Sequence, residues 1–201
     1  MRTALQRMAQ QSKIGRLVVV SGPSGVGKST VVREVLRRTG AAFSVSVTTR
    51  GPRDGEVDGR EYRFVDRAAF DGMVRRGELL EWAEVFGRLY GTPEAPVREA
   101  LAAGKTIILE IDVQGGIQVH RKMPDAAFVL ILPPGQAELT RRLTARCSES
   151  SEGIAQRLDK ANEETALASR SGVYNDCVVN DDLETAIRQV VDIVKREQSK
   201  K

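Results

Sequence analysis

Aromatic side chains make up only 4% of this 201-residue chain, and it has a single histidine, His120. So few rings leave little from which to build a stacking platform for single-stranded nucleic acid. One histidine excludes multi-histidine metal sites and argues against a serine–histidine triad. His120 itself falls in a polar helical stretch and reads as a surface residue. The two cysteines, Cys147 and Cys177, form no C-x-x-C pair, so neither zinc nor a disulfide framework is suggested. Buried or idle thiols in a reducing compartment are the expectation. No apolar run is long enough to cross a membrane, and residues 1–13 lack an apolar signal core. A cytoplasmic protein with no membrane or nucleic-acid partner is expected.

The formal charge of +4 invites a nucleic-acid reading, but its distribution opposes one. Setting aside three basic residues in 1–13, and four basic and one acidic in 195–201, leaves 24 basic against 26 acidic residues in 14–194. The body is slightly acidic, and the excess charge sits on ends expected to fray. The length suits one domain, with or without subdivisions.

What the chain does contain is concentrated in Leu17–Thr30, LVVVSGPSGVGKST. An apolar strand candidate, Leu17–Val20, runs into a glycine-rich turn and then a helix. Gly22, Gly27, Lys28 and Ser29 fit G-x-x-x-x-G-K-[ST], the phosphate-binding loop. Glycines let successive N–H groups face phosphate oxygens, and the helix contributes its positive dipole end. Lys28 can reach the outer phosphates, and the Ser29 hydroxyl can sit on Mg²⁺. The bland alternative is a chance glycine-rich turn, with odds on the order of one in a hundred at this length.

Helical spacing of Val31, Val32, Val35 and Leu36 predicts a helix over 29–38, stopped by Gly40. Phe43–Val47 alternates like one strand, and 48–59, rich in Gly, Pro, Arg and Asp, reads as a loop. Strands are predicted at 62–65, 79–86, 89–91, 106–111, 128–132 and 177–179. Helices are predicted at 68–76, 97–103, 117–122, 136–146, 154–169 and 183–196, with a polar turn at 148–153. Strands alternating with helices imply an α/β fold with a central parallel sheet. The runs 17–20, 107–111, 128–132 and 177–179 are continuously apolar, as strands buried on both faces should be. The stretch 43–92 breaks that rhythm and reads as an inserted subdomain with a small, partly antiparallel sheet.

Three groups of residues bear on chemistry. Arg50, Arg53, Tyr62 and Tyr90 lie in or beside the inserted stretch and suit a second phosphate, or else form a solvated basic loop. Arg141, Arg142, Arg146 and Arg157 flank the polar turn and either close over a transferring phosphoryl or are ordinary surface arginines. Glu110 and Asp112 end a strand beside the phosphate loop, where an acid can hold Mg²⁺ or its waters; capping of a helix by Asp112 is the alternative.

The run SVTTRGPRDGEVDGREYRFV, residues 46–65, resembles the signature of guanylate kinases, and LLEWAEVFGRLYGT, ILEIDVQG and VVNDDL resemble family segments in order. The similarity covers about 14–196. It implies a P-loop three-layer fold with a core (about 14–45, 93–140 and 170–196), a GMP-binding subdomain (about 46–92), a helical lid (about 141–158), and tails at 1–13 and 197–201. The activity implied is transfer of a phosphoryl group from Mg²⁺-ATP to GMP, with dGMP as a further acceptor.

On the matching motifs, Gly22, Pro23, Ser24, Gly25, Val26, Gly27, Lys28, Ser29 and Thr30 would bind ATP. Ser46, Glu81 and Thr92 would face guanine, and Arg50, Arg53, Tyr62 and Tyr90 would hold the GMP phosphate, with Glu110 and Asp112 alongside. Ser29 and Asp112 would hold Mg²⁺, directly or through water, and Asn180 would border the nucleotides. Lys28, Arg50, Arg142, Arg146 and Arg157 would stabilise transferring charge.

Three residues depart from the family pattern: Glu110 stands where Asp is common, Thr92 where Ser is frequent, and Cys147 where Gly is usual. An ionised Glu81 can accept from the ring N–H and amine of guanine, a donor pair that adenine lacks. Trp82 beside it reads as a packing residue. The other class of function the pattern allows is a catalytically weak interaction module of the same fold, against which the intact phosphate loop argues.

Overall fold

The computed structural model describes residues 15–146 and 151–200. Elements follow in the order β1 (Arg16–Ser21), α1 (Lys28–Thr39), β2 (Ala42–Phe43), β3 (Ser46–Thr48), β4 (Tyr62–Phe64), α2 (Arg67–Arg75), β5 (Leu79–Val85), β6 (Arg88–Pro93), α3 (Glu94–Ala102), β7 (Thr106–Glu110), α4 (Val113–Lys122), β8 (Ala127–Leu132), α5 (Gln136–Arg146), α6 (Ser151–Ser171), β9 (Asp176–Val179) and α7 (Leu183–Ser199).

Five strands form an all-parallel sheet in the order β2-β7-β1-β8-β9. Its central strands are buried on both faces, which is why their sequences are continuously apolar. Val18, Val20, Ile108, Val129 and Ile131 pack toward Val31 and Val35 of α1 and Ile187, Val190 and Val194 of α7. Leu17, Val19, Ile107, Leu109 and Phe128 pack on the opposite face with Val97 of α3 and Val119 of α4. Each fully buried valine or leucine contributes about 1.5–3 kcal/mol relative to exposure.

The second sheet, β4-β3-β6-β5, pairs β3 with β4 in parallel and β6 antiparallel to both β3 and β5. It has its own core of Val47, Phe70, Met73, Leu79 and Leu89. Helix α4 lies beside its outer strand. The Trp82 N–H donates to Gln118 Oε1 (3.3 Å), and Gln118 Nε2 donates to the Trp82 carbonyl (2.7 Å).

Several expectations need correction. The alternating run 43–47 is two strands in different sheets: the Ser44 N–H still pairs with the Ile108 carbonyl, after which the chain crosses to the small sheet at Ser46. Strand β9 lies at a sheet edge, so Val178 is buried while Cys177 and Val179 are exposed, contrary to a fully buried strand; of the two alternatives, buried or idle, Cys177 is not the buried one. Trp82 is 42% exposed and is not a core residue. His120 is half-buried with its ring edge-on to Phe128, 5.2 Å between centroids. Lys195, Arg196 and Lys200 are not frayed, because α7 continues to Ser199 and Lys200 pairs with the buried Glu197 at 2.7 Å. Helix α4 starts at Val113, four residues before the apolar spacing predicts, because the Asp112 side chain caps it. Helix α6 begins at Ser151, inside the expected turn. Residues 1–13 and Cys147, and the side chain of Arg146, lie outside the described residues.

Candidate functional site

Parallel sheets bind ligands beyond the carboxyl ends of their strands, and β1 ends there in the glycine turn that leads into α1. Gly25 and Gly27 have φ of 84° and 97°, conformations that side chains resist. Gly27 opens α1 with no side-chain cap, so the helix N-terminus presents bare N–H groups. Lys28 Nζ donates to the Gly22 and Pro23 carbonyls and thus lies over the loop. The buried Asn180 amide donates to the Val26 carbonyl at 2.7 Å, fastening the loop to the end of β9. Arg142 Nη1 reaches the same carbonyl at 3.4 Å, while its Nε pairs with Glu138 at 2.7 Å. Gly25, Gly27, Thr30, Arg142, Asn180 and Leu183 line a hollow on this side of the loop.

On the other side, one cleft is lined by Lys28, Ser46, Tyr62, Glu81, Tyr90, Glu110, Asp112 and Glu164. It separates the large sheet from the small one. Glu81 is 4% exposed and accepts a 2.6 Å hydrogen bond from the fully buried Thr92 hydroxyl. Burial raises its carboxyl from 4.5 to about 7, with the nearby Asp112 charge adding to the rise and the Thr92 and Lys122 contacts opposing it. Gly115, in the first turn of α4, lies so close that an added Cβ would fall 2.5 Å from Glu81 Oε2. Asp112 Oδ1 accepts from the Gly115 N–H at 2.7 Å, so the capping alternative for Asp112 is realised.

Arg50 stacks over Tyr62 and Phe64, at 5.4 and 5.8 Å from their centroids. Its Nη2 donates to Glu56 at 2.9 Å. Glu56 also accepts from the Arg53 N–H at 2.8 Å, which fixes the turn between the two arginines, although the Arg53 side chain is exposed. Tyr62 and Tyr90 meet edge to face at 5.9 Å. Burial, with the Glu110 charge next, pushes the Tyr62 phenol up to about 12, so it remains a hydrogen-bond donor. If Arg50 holds the GMP phosphate, as the sequence resemblance implies, Arg50→Lys is expected to lower kcat/KM for that substrate by about 10²-fold, since an ammonium has no planar fork to stack and chelate. Steady-state kinetics of the variant check this.

The Ser29 hydroxyl donates to Glu110, while Asp112 serves α4. These hard oxygen donors beside a phosphate loop suit Mg²⁺, which takes one or two carboxylates and fills its remaining positions with water and phosphate. Among the described residues no cluster of three or more acidic, histidine or cysteine ligands occurs.

Sequence reasoning missed Glu56 and Glu164. Glu164, on α6, is 4% exposed and accepts from the Ser24 N–H at 3.3 Å. Burial raises its carboxyl while Lys28 opposes the rise. No sequence signal marks it. An opposite charge six residues from Arg50 is a weak signal that could have pointed to Glu56.

A phosphate loop on a five-stranded parallel sheet, facing a small sheet with a buried carboxylate and stacked arginine, defines a P-loop nucleoside monophosphate kinase. A guanylate kinase family model matches residues 14–197. The chain is 53% identical over 189 residues to a guanylate kinase of Nocardia farcinica, covering 92% of this chain and 96% of that one. It is 48% identical to one from Thermus thermophilus, covering 92% and 82%. A crystal structure of guanylate kinase from Anaplasma phagocytophilum superposes with a TM-score of 0.78 at 33% identity, covering 94% and 89%. The chain belongs to the guanylate kinase family.

Proposed function

We propose that this enzyme transfers the γ-phosphoryl group of ATP to GMP, giving ADP and GDP, and that it accepts dGMP as well. The observation that carries this reading is the buried Glu81–Thr92 pair, whose carboxylate lines the same cleft as Lys28. A carboxylate there matches the two adjacent donors of guanine, and a base without them leaves it unpaired, a penalty that reaches about 10⁴-fold in comparable sites.

The acceptor is a phosphate already largely ionised near neutral pH, its second pKa being about 6. It needs no general base, and the sole histidine packs on Phe128. Rate enhancement then comes from positioning and from cations around a loose transition state. Arg50 with Tyr62 and Tyr90 grips the GMP phosphate, aided by Arg53, while Ser46 joins Glu81 and Thr92 around the base. Residues 22–30 and Lys28 cradle the ATP phosphates, with Asn180 steadying the loop. Arg142, Arg146 and Arg157 supply further positive charge. Ser29, with Glu110 and Asp112, would hold Mg²⁺, which when bound neutralises phosphate charge.

A coupled ADP-release assay across GMP, dGMP, AMP, CMP and dTMP tests the proposal. Turnover confined to the two guanine nucleotides is expected. AMP used better than GMP refutes the base-recognition argument, and no turnover with GMP refutes the activity.

A further inference from the structure

The β5–β6 hairpin closes on a two-residue turn, Phe86-Gly87, flanked by the paired residues Val85 and Arg88. Both turn residues are left-handed, with φ of 50° and 71°. Such turns favour Asn-Gly, Asp-Gly or Gly-Gly, and a bulky residue in that region is a genuine outlier. Phe86 is also 53% exposed, so core burial does not hold it there. A residue that breaks a local rule at the surface calls for a compensating contact elsewhere.

That contact lies across the cleft. The Arg157 guanidinium carbon of α6 sits 5.7 Å from the centre of the Phe86 ring, within cation–π range. Val85, next to Phe86, lines the cleft, and so does Glu164, two helical turns beyond Arg157. The pair therefore spans the mouth of the cleft, from the small sheet to the helix that contacts the phosphate loop through Glu164 and Ser24.

We propose that Phe86 is a positioning residue, whose ring holds Arg157 at the mouth of the cleft where the transferring phosphoryl group passes. The proposal rests on the reading of Arg157 as a charge-stabilising group. Phe86 touches neither substrate and acts only through the arginine.

Phe86→Asn separates this role from folding, because Asn-Gly is the preferred turn and relieves the backbone. The melting temperature is expected to hold or rise, while kcat with GMP falls about two- to fivefold, the range open to an exposed cation–π pair. KM for GMP stays as in the wild type, since Glu81 and Arg50 are untouched. Phe86→Tyr retains the ring and the wild-type kcat. In an Arg157→Ala background, Phe86→Asn has no further effect on kcat. An unchanged or raised kcat in Phe86→Asn overturns the proposal, as does a loss accompanied by a lower melting temperature. The same loss persisting without Arg157 also overturns it. Wild-type turnover with GMP reports on the proposed function, and the ratio of variant to wild type reports on Phe86 alone.

Discussion

Replacing Lys28 by alanine is expected to cut kcat by about 10³-fold, the scale on which a single preorganised cation or donor acts in phosphoryl and acyl transfer. The melting temperature should move by no more than a few degrees. Both halves follow from the position of the side chain. Its ammonium reaches back over the loop to the Gly22 and Pro23 carbonyls, and it belongs to none of the hydrophobic clusters. Alanine also favours the helix that the residue begins. The loop's own geometry survives, because Asn180 fastens the Val26 carbonyl independently of the lysine. Steady-state kinetics together with thermal unfolding decide the matter. A variant within tenfold of wild type removes Lys28 from the chemistry, and an unfolded variant gives it a structural role.

Glu81→Gln should lower kcat/KM for GMP by roughly 10³-fold and leave KM for ATP within about twofold, because one acceptor is exchanged for a donor facing the donors of guanine. The same position gives a pH signature. Burial lifts the folded carboxyl to about 7 from 4.5, so GMP affinity should weaken as pH falls through about 7, when the acceptor becomes protonated. Stability runs the opposite way. The folded form binds the Glu81 proton more tightly than the unfolded chain, so this residue's contribution to stability is greatest below 4.5, falls as pH rises to about 7, and then levels off. Glutamine removes both trends. Comparing the two proteins across pH also cancels the titration of GMP itself, whose second pKa is near 6. Equal losses toward GMP and ATP would make Glu81 merely structural, and a pH profile shared by both proteins would assign the titration elsewhere.

The large sheet was readable from sequence wherever burial on two faces leaves only apolar residues, as at Val18–Val20 and Ile107–Leu109. It was not readable at 43–47, where period-two alternation looks like one strand. The break arises because Ser44 finishes its pairing with Ile108 and Ser46 begins another with Tyr62. That choice is tertiary and leaves no local mark. At β9 the apolar letters are real, but an edge position exposes every second one. The phosphate loop was readable because its chemistry is contiguous. Glu164 was not, since 140 residues separate it from the Ser24 N–H it accepts from. Glu56 was hidden among the other charges of its loop, and only its two hydrogen bonds distinguish it. Asp112 carries a helix cap as well as a place in the cleft, a double use that spacing alone leaves open.

The side-chain amide of Gln118 occupies both main-chain groups of Trp82 on the outermost strand of the small sheet. An unprotected outer strand is a template on which neighbouring molecules can stack and aggregate. Here the helix supplies a counterfeit strand one residue long, so at that point the ladder has no room for a newcomer. The exposed indole can therefore face water without turning the sheet into a nucleus for precipitation.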